Sequence, residues 1–442
     1  MKAVNWLLAV RGVVVRGANF MMIQHLVRRA MDVREIALIF GKAKKGRLKM
    51  AGNKHTMQEL YQWQALPLNI KVLMTAERIR NWVDEFGEDG VYLSFSGGKD
   101  STVLGHIIRE VCGYKNIPFV FVDVPTQYPE LKGFVKTFDN LVILKPKISF
   151  AQVCEKYGFP MFSKEISECV ADSRKYIRIL TDRQTDRQTE IPFAYRIADL
   201  IGIDRRADKE NKAFVDLKMG NIPSEILKAP VRVKQLFGVK CEDFGSMYDR
   251  SKYLFMLNAP FEVSNQCCKV MKKQPMHQYN KDTGRVPITA QMASESKLRT
   301  SQWLQNGCNG FDLKIPTSNP MSFWTEQDVL LYIKENNLPI CSVYGDVVVD
   351  YSAMGQCENQ MSFADYGIFD NERPLLKTTG CERTGCVLCG FGCHLEKESR
   401  FLRLKETHPK FHNLLYVLKN NGVTYAEAID WVNEHGNMNI KY

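Results

Sequence analysis

One stretch, Val91 to Leu104, restricts what this chain can fold into more than any other. An apolar run of strand type, Val91-Tyr92-Leu93, enters a Ser96-Gly97-Gly98 turn. Lys99-Asp100-Ser101 follows, and then apolar residues recur at helical spacing: Val103, Leu104, Ile107, Ile108 and Val111. A strand that turns through glycines into a helix start presents several backbone N–H groups at one point. The helix dipole adds partial positive charge there, and Lys99 adds a full one. Gly97 and Gly98 carry no Cβ that would hold an anion away from the backbone. Ser96 and Ser101 offer hydroxyl donors. Asp100 is the odd residue in an anion site, suited to capping the helix or to facing a metal or a leaving group. Strand, Gly-Gly, Lys and helix in this order predict a phosphate-binding turn. It is not a Walker A loop, because the four residues between the glycines are missing.

The flanking pattern predicts an α/β fold with a doubly wound, Rossmann-like parallel sheet. Ile117 to Val124 is a near-continuous apolar run, typical of a buried parallel strand, and Asp123 lies near its carboxyl end, where open α/β sheets bind ligands. Leu141 to Leu144 reads as a third strand, Phe150 to Tyr157 as a short helix, and Phe162-Ser163-Lys164-Glu165 as the opening of another. Helical periodicity from Met57 to Phe86 predicts a pair of lead-in helices. Thr325 is a natural N-cap for a helix from Glu326 that stops before Pro339, and a further helix is expected from Tyr425 to Val432. The domains expected are a basic extension over 1–55, non-native or disordered, then the loop-bearing α/β domain over 56–345, with a helical insertion at about 172–250. A Cys-rich, cluster-binding and helical region over 346–442 completes the chain.

Charge and cysteine narrow the function. Of the net charge of +11, +9 lies within residues 1–50, so the body lacks the global basic excess of a nucleic-acid-binding protein. The first 50 residues read either as a basic arm for membrane or nucleic acid, or as a segment ahead of a true start at Met50 or Met57; the second reading is preferred. No apolar run approaches the roughly 18–20 residues of a membrane span. A cytoplasmic protein is expected. The tandem repeat Thr181 to Thr189 reads as a surface expansion without chemistry. Thirteen cysteines, an odd number with no secretory signal ahead of them, point to metal or redox use. Cys381, Cys386, Cys389 and Cys393 are spaced with glycines, which let backbone fold round a metal group. A structural zinc could take these four. Cys267 and Cys268 stand together ahead of Lys269, Lys272 and Lys273.

Ser96 to Ser101 resembles the PP-loop of the adenine nucleotide α-hydrolase-like superfamily. That group includes phosphoadenosine phosphosulfate (PAPS) and adenosine phosphosulfate (APS) reductases, ATP sulfurylase small subunits and tRNA-thiolating ATP pyrophosphatases. Other stretches bring the chain closer to the PAPS reductase family with the APS-type cysteine pattern. They are Cys267-Cys268 with downstream lysines, Ile288-Thr289-Ala290 with a Ser and Arg299 beyond, the Trp324-Thr325 helix leading to Tyr344, and Cys386-x2-Cys389. Two departures stand out: Lys272-Lys273 lie one residue further on than the family's Arg-Lys, and Ala290 replaces a Gly.

The resemblance implies a 4Fe-4S cluster on Cys267, Cys268, Cys386 and Cys389, with Zn²⁺ the alternative cofactor. It implies that Ser96, Gly97, Gly98, Lys99 and Ser101 hold the anion, that Asp100 and Asp123 orient the nucleotide or a metal, and that Lys272 and Arg299 supply positive charge to oxyanions. Arg299 reads equally as part of a surface ion pair. It implies phosphosulfate reduction, in which a cysteine attacks sulfur and a thioredoxin-like reductant releases sulfite. The family's tail cysteine has no counterpart after Cys393, so Cys393 or Cys381 is the candidate nucleophile. Two further readings remain open. One is an ATP pyrophosphatase-type sulfurtransferase with Mg²⁺, akin to tRNA thiolation or DNA phosphorothioation enzymes. The other is a nucleotide-binding partner without turnover.

Overall fold

The structure is a computed structural model that describes residues 54–184, 224–239, 249–350, 375–396 and 398–442. The basic arm over 1–50, residues 185–189 of the tandem repeat, Cys241 and Cys357 lie outside the described residues. The strands used below are β1 (Val91–Ser94), β2 (Phe119–Val122), β3 (Leu141–Leu144), β4 (Met161–Phe162), β5 (Val286–Ile288), β6 (Asn309–Gly310), β7 (Thr317–Ser318), β8 (Val347–Val349), β9 (Leu376–Thr378) and β10 (Gly390–Phe391). The architecture is α/β, mostly parallel strands with many helices. The chain forms two compact units, each discontinuous in sequence: Met1–Phe119 with Val286–Gly380, and Val120–Arg285 with Cys381–Tyr442.

In the first unit β1 pairs in parallel with β5, and β5 in parallel with β7. β6 closes the edge antiparallel to β7. The two expected lead-in helices are Met57–Gln64, started by a Thr56–Glu59 capping box, and Leu68–Phe86. The longer one buries Leu68, Val72, Ala76, Ile79 and Val83, a spacing of three and four residues that makes one apolar face. The Lys99–His106 helix leaves the loop after β1. Its Gly105 faces the Phe119 ring, which an added Cβ would meet at 2.7 Å, so only glycine lets strand and helix pack this closely. The Glu326–Glu335 helix starts at Thr325 as expected, and its capping box closes with Asp328. Asp328 also pairs with the buried Lys71 at 2.6 Å. The side chain of Gln327 bonds both backbone groups of Leu376, fixing the β8–β9 pair to the same helix.

In the second unit β2 neighbours β3, and the Asp123 N–H donates to the Leu144 carbonyl at 2.8 Å. The Phe150–Tyr157 helix has the expected bounds and a Ser149 cap. The next helix starts at Lys164, not Phe162, because Phe162 belongs to β4 and takes a left-handed φ of 62°. β4 pairs in parallel with β10, next to the second cysteine stretch. The buried Arg174 ties the Met256, Ala259 and Phe261 carbonyls and the Glu262 carboxylate together. The core is aromatic here: Phe159 stacks on Tyr425 with centroids 4.6 Å apart. Tyr425 opens a helix that runs to Gly436, four residues past the expected end.

Candidate functional site

Two groups of side chains carry chemistry, one in each unit. In the first unit the loop after β1 is closed by its own hydroxyls. Gly97 takes φ 72°, a left-handed turn that needs glycine. Gly98 ends the loop as the helix N-cap in extended conformation. The Ser101 hydroxyl donates to the Gly98 carbonyl at 2.9 Å and accepts from the Ser96 N–H at 3.3 Å. The Ser96 hydroxyl accepts from the Gly98 N–H at 3.2 Å. Ser96 is exposed, Asp100 half-buried, and Gly97, Gly98, Lys99 and Ser101 buried.

Two residues that sequence reasoning did not tie to this loop sit on Lys99. Its N–H donates to the Tyr344 hydroxyl at 3.1 Å, and its ammonium lies 3.0 Å from a Glu326 carboxylate oxygen and 5.3 Å from the Tyr344 ring centroid. From the sequence Glu326 is only the first residue of the helix that Thr325 caps. Arg299, also in this unit, is paired with Glu295, which lies ahead of the Ser296 cap of the Lys297–Asn306 helix.

In the second unit Asp123 follows the end of β2, and its carboxylate pairs with Lys132 at 2.6 Å. Cys267 and Cys268 occupy a short helical turn, Gln266–Cys268. The chain then makes a five-residue π-helical turn, Lys269–Lys273, before an α-helix over Gln274–Thr283. Pro275 explains the wide turn: it has no N–H for the Met271 carbonyl, and its ring would crowd that oxygen in a regular helix.

The loop with Cys386 and Cys389 is held from several sides. The Val387 N–H donates to the Thr126 carbonyl at 2.8 Å, the Gly392 N–H to the Phe162 carbonyl at 2.6 Å, and Arg400 to the Cys389 carbonyl at 2.8 Å. A Cβ on Gly390 would strike the Pro160 carbonyl and the Tyr425 hydroxyl. The positive φ of Phe162 is thus paired with a tightly seated cysteine loop.

These two stretches act on one another electrically. Cys267 donates a hydrogen bond to the Cys268 sulfur; that bond, burial, and the charges of Cys268, Cys389 and Cys386 push the Cys267 thiol far up. The same bond holds Cys268 down to about 6 against the effect of burial, with Lys164, Lys272 and Lys273 adding to it. Lys272, half-buried, is raised first by the charge of Cys386, then by Cys268 and Cys389. Burial lifts Cys389 to about 11, opposed by the Phe391 N–H that its sulfur accepts. Four thiols and a lysine therefore form one electrostatic group, although more than a hundred residues separate the two cysteine pairs.

Among the described residues no three His, Cys, Asp or Glu side chains converge tightly enough for a single metal ion. Four thiols, with an N–H bond to the Cys389 sulfur, are a donor set whose chemistry fits a thiolate-bound metal group, iron–sulfur or zinc.

The two candidate nucleophiles are buried. Burial pushes Cys393 up to about 12, and its thiol donates to the Gly390 carbonyl at 3.0 Å. Cys381 lies 3.7 Å from the Tyr128 hydroxyl and 3.7 Å from an Arg403 guanidinium nitrogen. No helix among the described residues is long and apolar enough to cross a membrane.

Comparison with known proteins places this arrangement. The family model of the phosphoadenosine phosphosulfate reductase domain matches residues 90–180 and 200–390. A curated protein, the adenosine 5'-phosphosulfate reductase of Burkholderia cepacia, is 29% identical over 132 residues, 28% of this chain. That stretch spans about half, 51%, of the curated relative. A solved structure, the phosphoadenylyl-sulfate (PAPS) reductase from Candida auris in a phosphate complex, aligns at 14% identity with a TM-score of 0.29, over 66% of this chain and 92% of that one. The family match begins at the strand that feeds the glycine loop and includes both cysteine pairs. With more than half of its residues matched, this chain belongs to the phosphoadenosine phosphosulfate reductase domain family.

Proposed function

We propose that this chain binds an adenine sulfonucleotide at the Ser96–Ser101 loop and reduces or transfers its sulfur with the help of a 4Fe-4S cluster on Cys267, Cys268, Cys386 and Cys389. The observation that carries the proposal is the family match, which begins at the strand feeding the glycine loop and includes both cysteine pairs. Gly97, Gly98, Lys99 and Ser101 hold the anionic tail, and Asp100 and Asp123 orient the nucleotide. Lys272 balances the thiolate charge, and Arg299 is a further source of positive charge for oxyanions. One-electron or sulfur-transfer chemistry is what such a cluster supplies when bound.

In the reductase reading a cysteine thiolate attacks the sulfonate sulfur, the bond from that sulfur to the phosphate oxygen breaks, and the nucleoside phosphate leaves with the electron pair. One thiol of a thioredoxin-like dithiol then attacks the cysteine sulfur and sulfite departs; the second thiol attacks the resulting mixed disulfide, which frees the cysteine thiolate and leaves the dithiol oxidised to a disulfide. Cys393 and Cys381 remain the candidates for the attacking thiol. Burial favours the neutral thiol at Cys393, and this is the observation that keeps a second reading alive. In that reading ATP with Mg²⁺ adenylates an acceptor and pyrophosphate leaves.

The test is a parallel assay of anaerobically purified protein with PAPS, APS and ATP. Sulfite release in the presence of thioredoxin supports the first reading, and pyrophosphate release from ATP supports the second. Nucleotide binding with neither product assigns a binding partner. Absorbance near 400 nm together with iron supports the cluster, and zinc without iron refutes it.

A further inference from the structure

The loop's donors already face oxygen. The Ser96 N–H has the Ser101 hydroxyl, the Gly98 N–H has the Ser96 hydroxyl, the Lys99 N–H has the Tyr344 hydroxyl, and the Lys99 ammonium has the Glu326 carboxylate. Two of these acceptors belong to the loop. The other two come from far along the chain, and only Glu326 brings a formal negative charge.

From this geometry we infer that Glu326 is a built-in competitor for the anion site: its carboxylate stands where a ligand's oxyanion is to go, and the ligand enters by displacing it. The inference rests on the loop's being the nucleotide site, and it specifies how that site is gated.

Three features make displacement local. First, Lys99 is 4% exposed while Glu326 is 47% exposed, so the carboxylate has solvent to rotate into and the ammonium does not. Second, the helix start stays fixed when Glu326 leaves. Thr325 caps it, Asp328 completes the box, and Lys71 grips Asp328 at 2.6 Å. Third, the Tyr344 ring, 5.3 Å from the ammonium, keeps a cation–π partner on Lys99 throughout. The ligand therefore exchanges one anion for another on a cation that hardly moves. An anion of higher charge than a carboxylate wins that exchange, which sets a charge threshold for entry.

The alternative role for Glu326 is to aim Lys99 at the ligand, and the two roles predict opposite signs. Titration calorimetry on the full-length protein would compare wild type with Glu326→Gln and Glu326→Ala, using inorganic pyrophosphate, ATP, APS and PAPS as probes. Removing the competitor should tighten binding roughly 3- to 10-fold, the scale of one partly exposed ion pair, with the gain shrinking at high salt. Unchanged or weaker binding in both variants overturns the inference. Pyrophosphate binding that tightens in the variants, with no nucleotide bound by any form, sustains the inference and refutes the nucleotide reading. Absence of pyrophosphate binding in every form refutes the inference.

Discussion

Replacing Lys71 with methionine should loosen the Glu326–Glu335 helix more than any surface change nearby. Lys71 is 1% exposed, and its ammonium meets the Asp328 carboxylate and the Gln64 carbonyl, both at 2.6 Å. In the variant Asp328 keeps its bonds from the Thr325 N–H and hydroxyl, at 2.7 and 2.8 Å, but stays buried without its cation. Breaking a buried pair by deleting one partner costs about 3–5 kcal/mol. The two surviving capping bonds place the cost at the lower end, about 3 kcal/mol, a factor of roughly 100 in the opening equilibrium. Hydrogen exchange read by mass spectrometry on peptides covering 325–335 measures that equilibrium directly. Protection there should fall about a hundredfold in the variant. A second variant, Lys71→Met with Asp328→Leu, should recover most of it, because two apolar groups of similar size leave no orphan charge. If the single variant lost less than threefold, or the double lost as much as the single, the account of this ion pair would be wrong.

Other outcomes follow from the same geometry. Lys99→Ala should abolish nucleotide binding while the thermal melt shows a folded protein; unchanged affinity would remove the loop from the functional account. Cys386→Ser and Cys267→Ser should each lower iron content and the absorbance near 400 nm in anaerobic preparations, and full iron in both would exclude these ligands. Burial alone would raise the Glu262 carboxyl, but Arg174 and Arg178 outweigh it and hold it below the ordinary range. A carboxyl depressed in the folded state lends stability above its unfolded value, about 4.3, and loses it as pH falls through the folded one. Glu262→Gln should therefore lower the melting temperature at pH 7, and the gap to wild type should close below about pH 4. A gap that stays constant down to pH 3 would contradict this.

What could be read without coordinates followed from how local the physics is. The glycine loop, the Thr325 cap and the pair of helices between Met57 and Phe86 are decided by neighbours within a few residues, and each stands where periodicity and capping chemistry put it. Local sequence puts Phe162 at a helix opening, because nothing nearby announces that its carbonyl is needed by Gly392, far along the chain. Glu326 opens a capped helix, and nothing in its local sequence points to its partner, Lys99. Arg299 reads from the sequence as part of an ion pair, and its partner Glu295 lies just across the Ser296 cap. The burial of Cys393 depends on the whole core of its unit and leaves no mark in the spacing of the cysteines.

The wide turn at Lys269–Lys273 gives this segment a spare residue. An ordinary helix turns about 100° per residue, so a single insertion normally swings everything downstream to another face. A turn of five residues takes up one insertion and hands on the same direction. A lysine pair displaced by one position after two adjacent thiols can thus point the same way, and sequence registers that differ by one need not differ in what their side chains reach. The stretch between the paired thiols and Pro275 is then where length can drift during descent without disturbing either end.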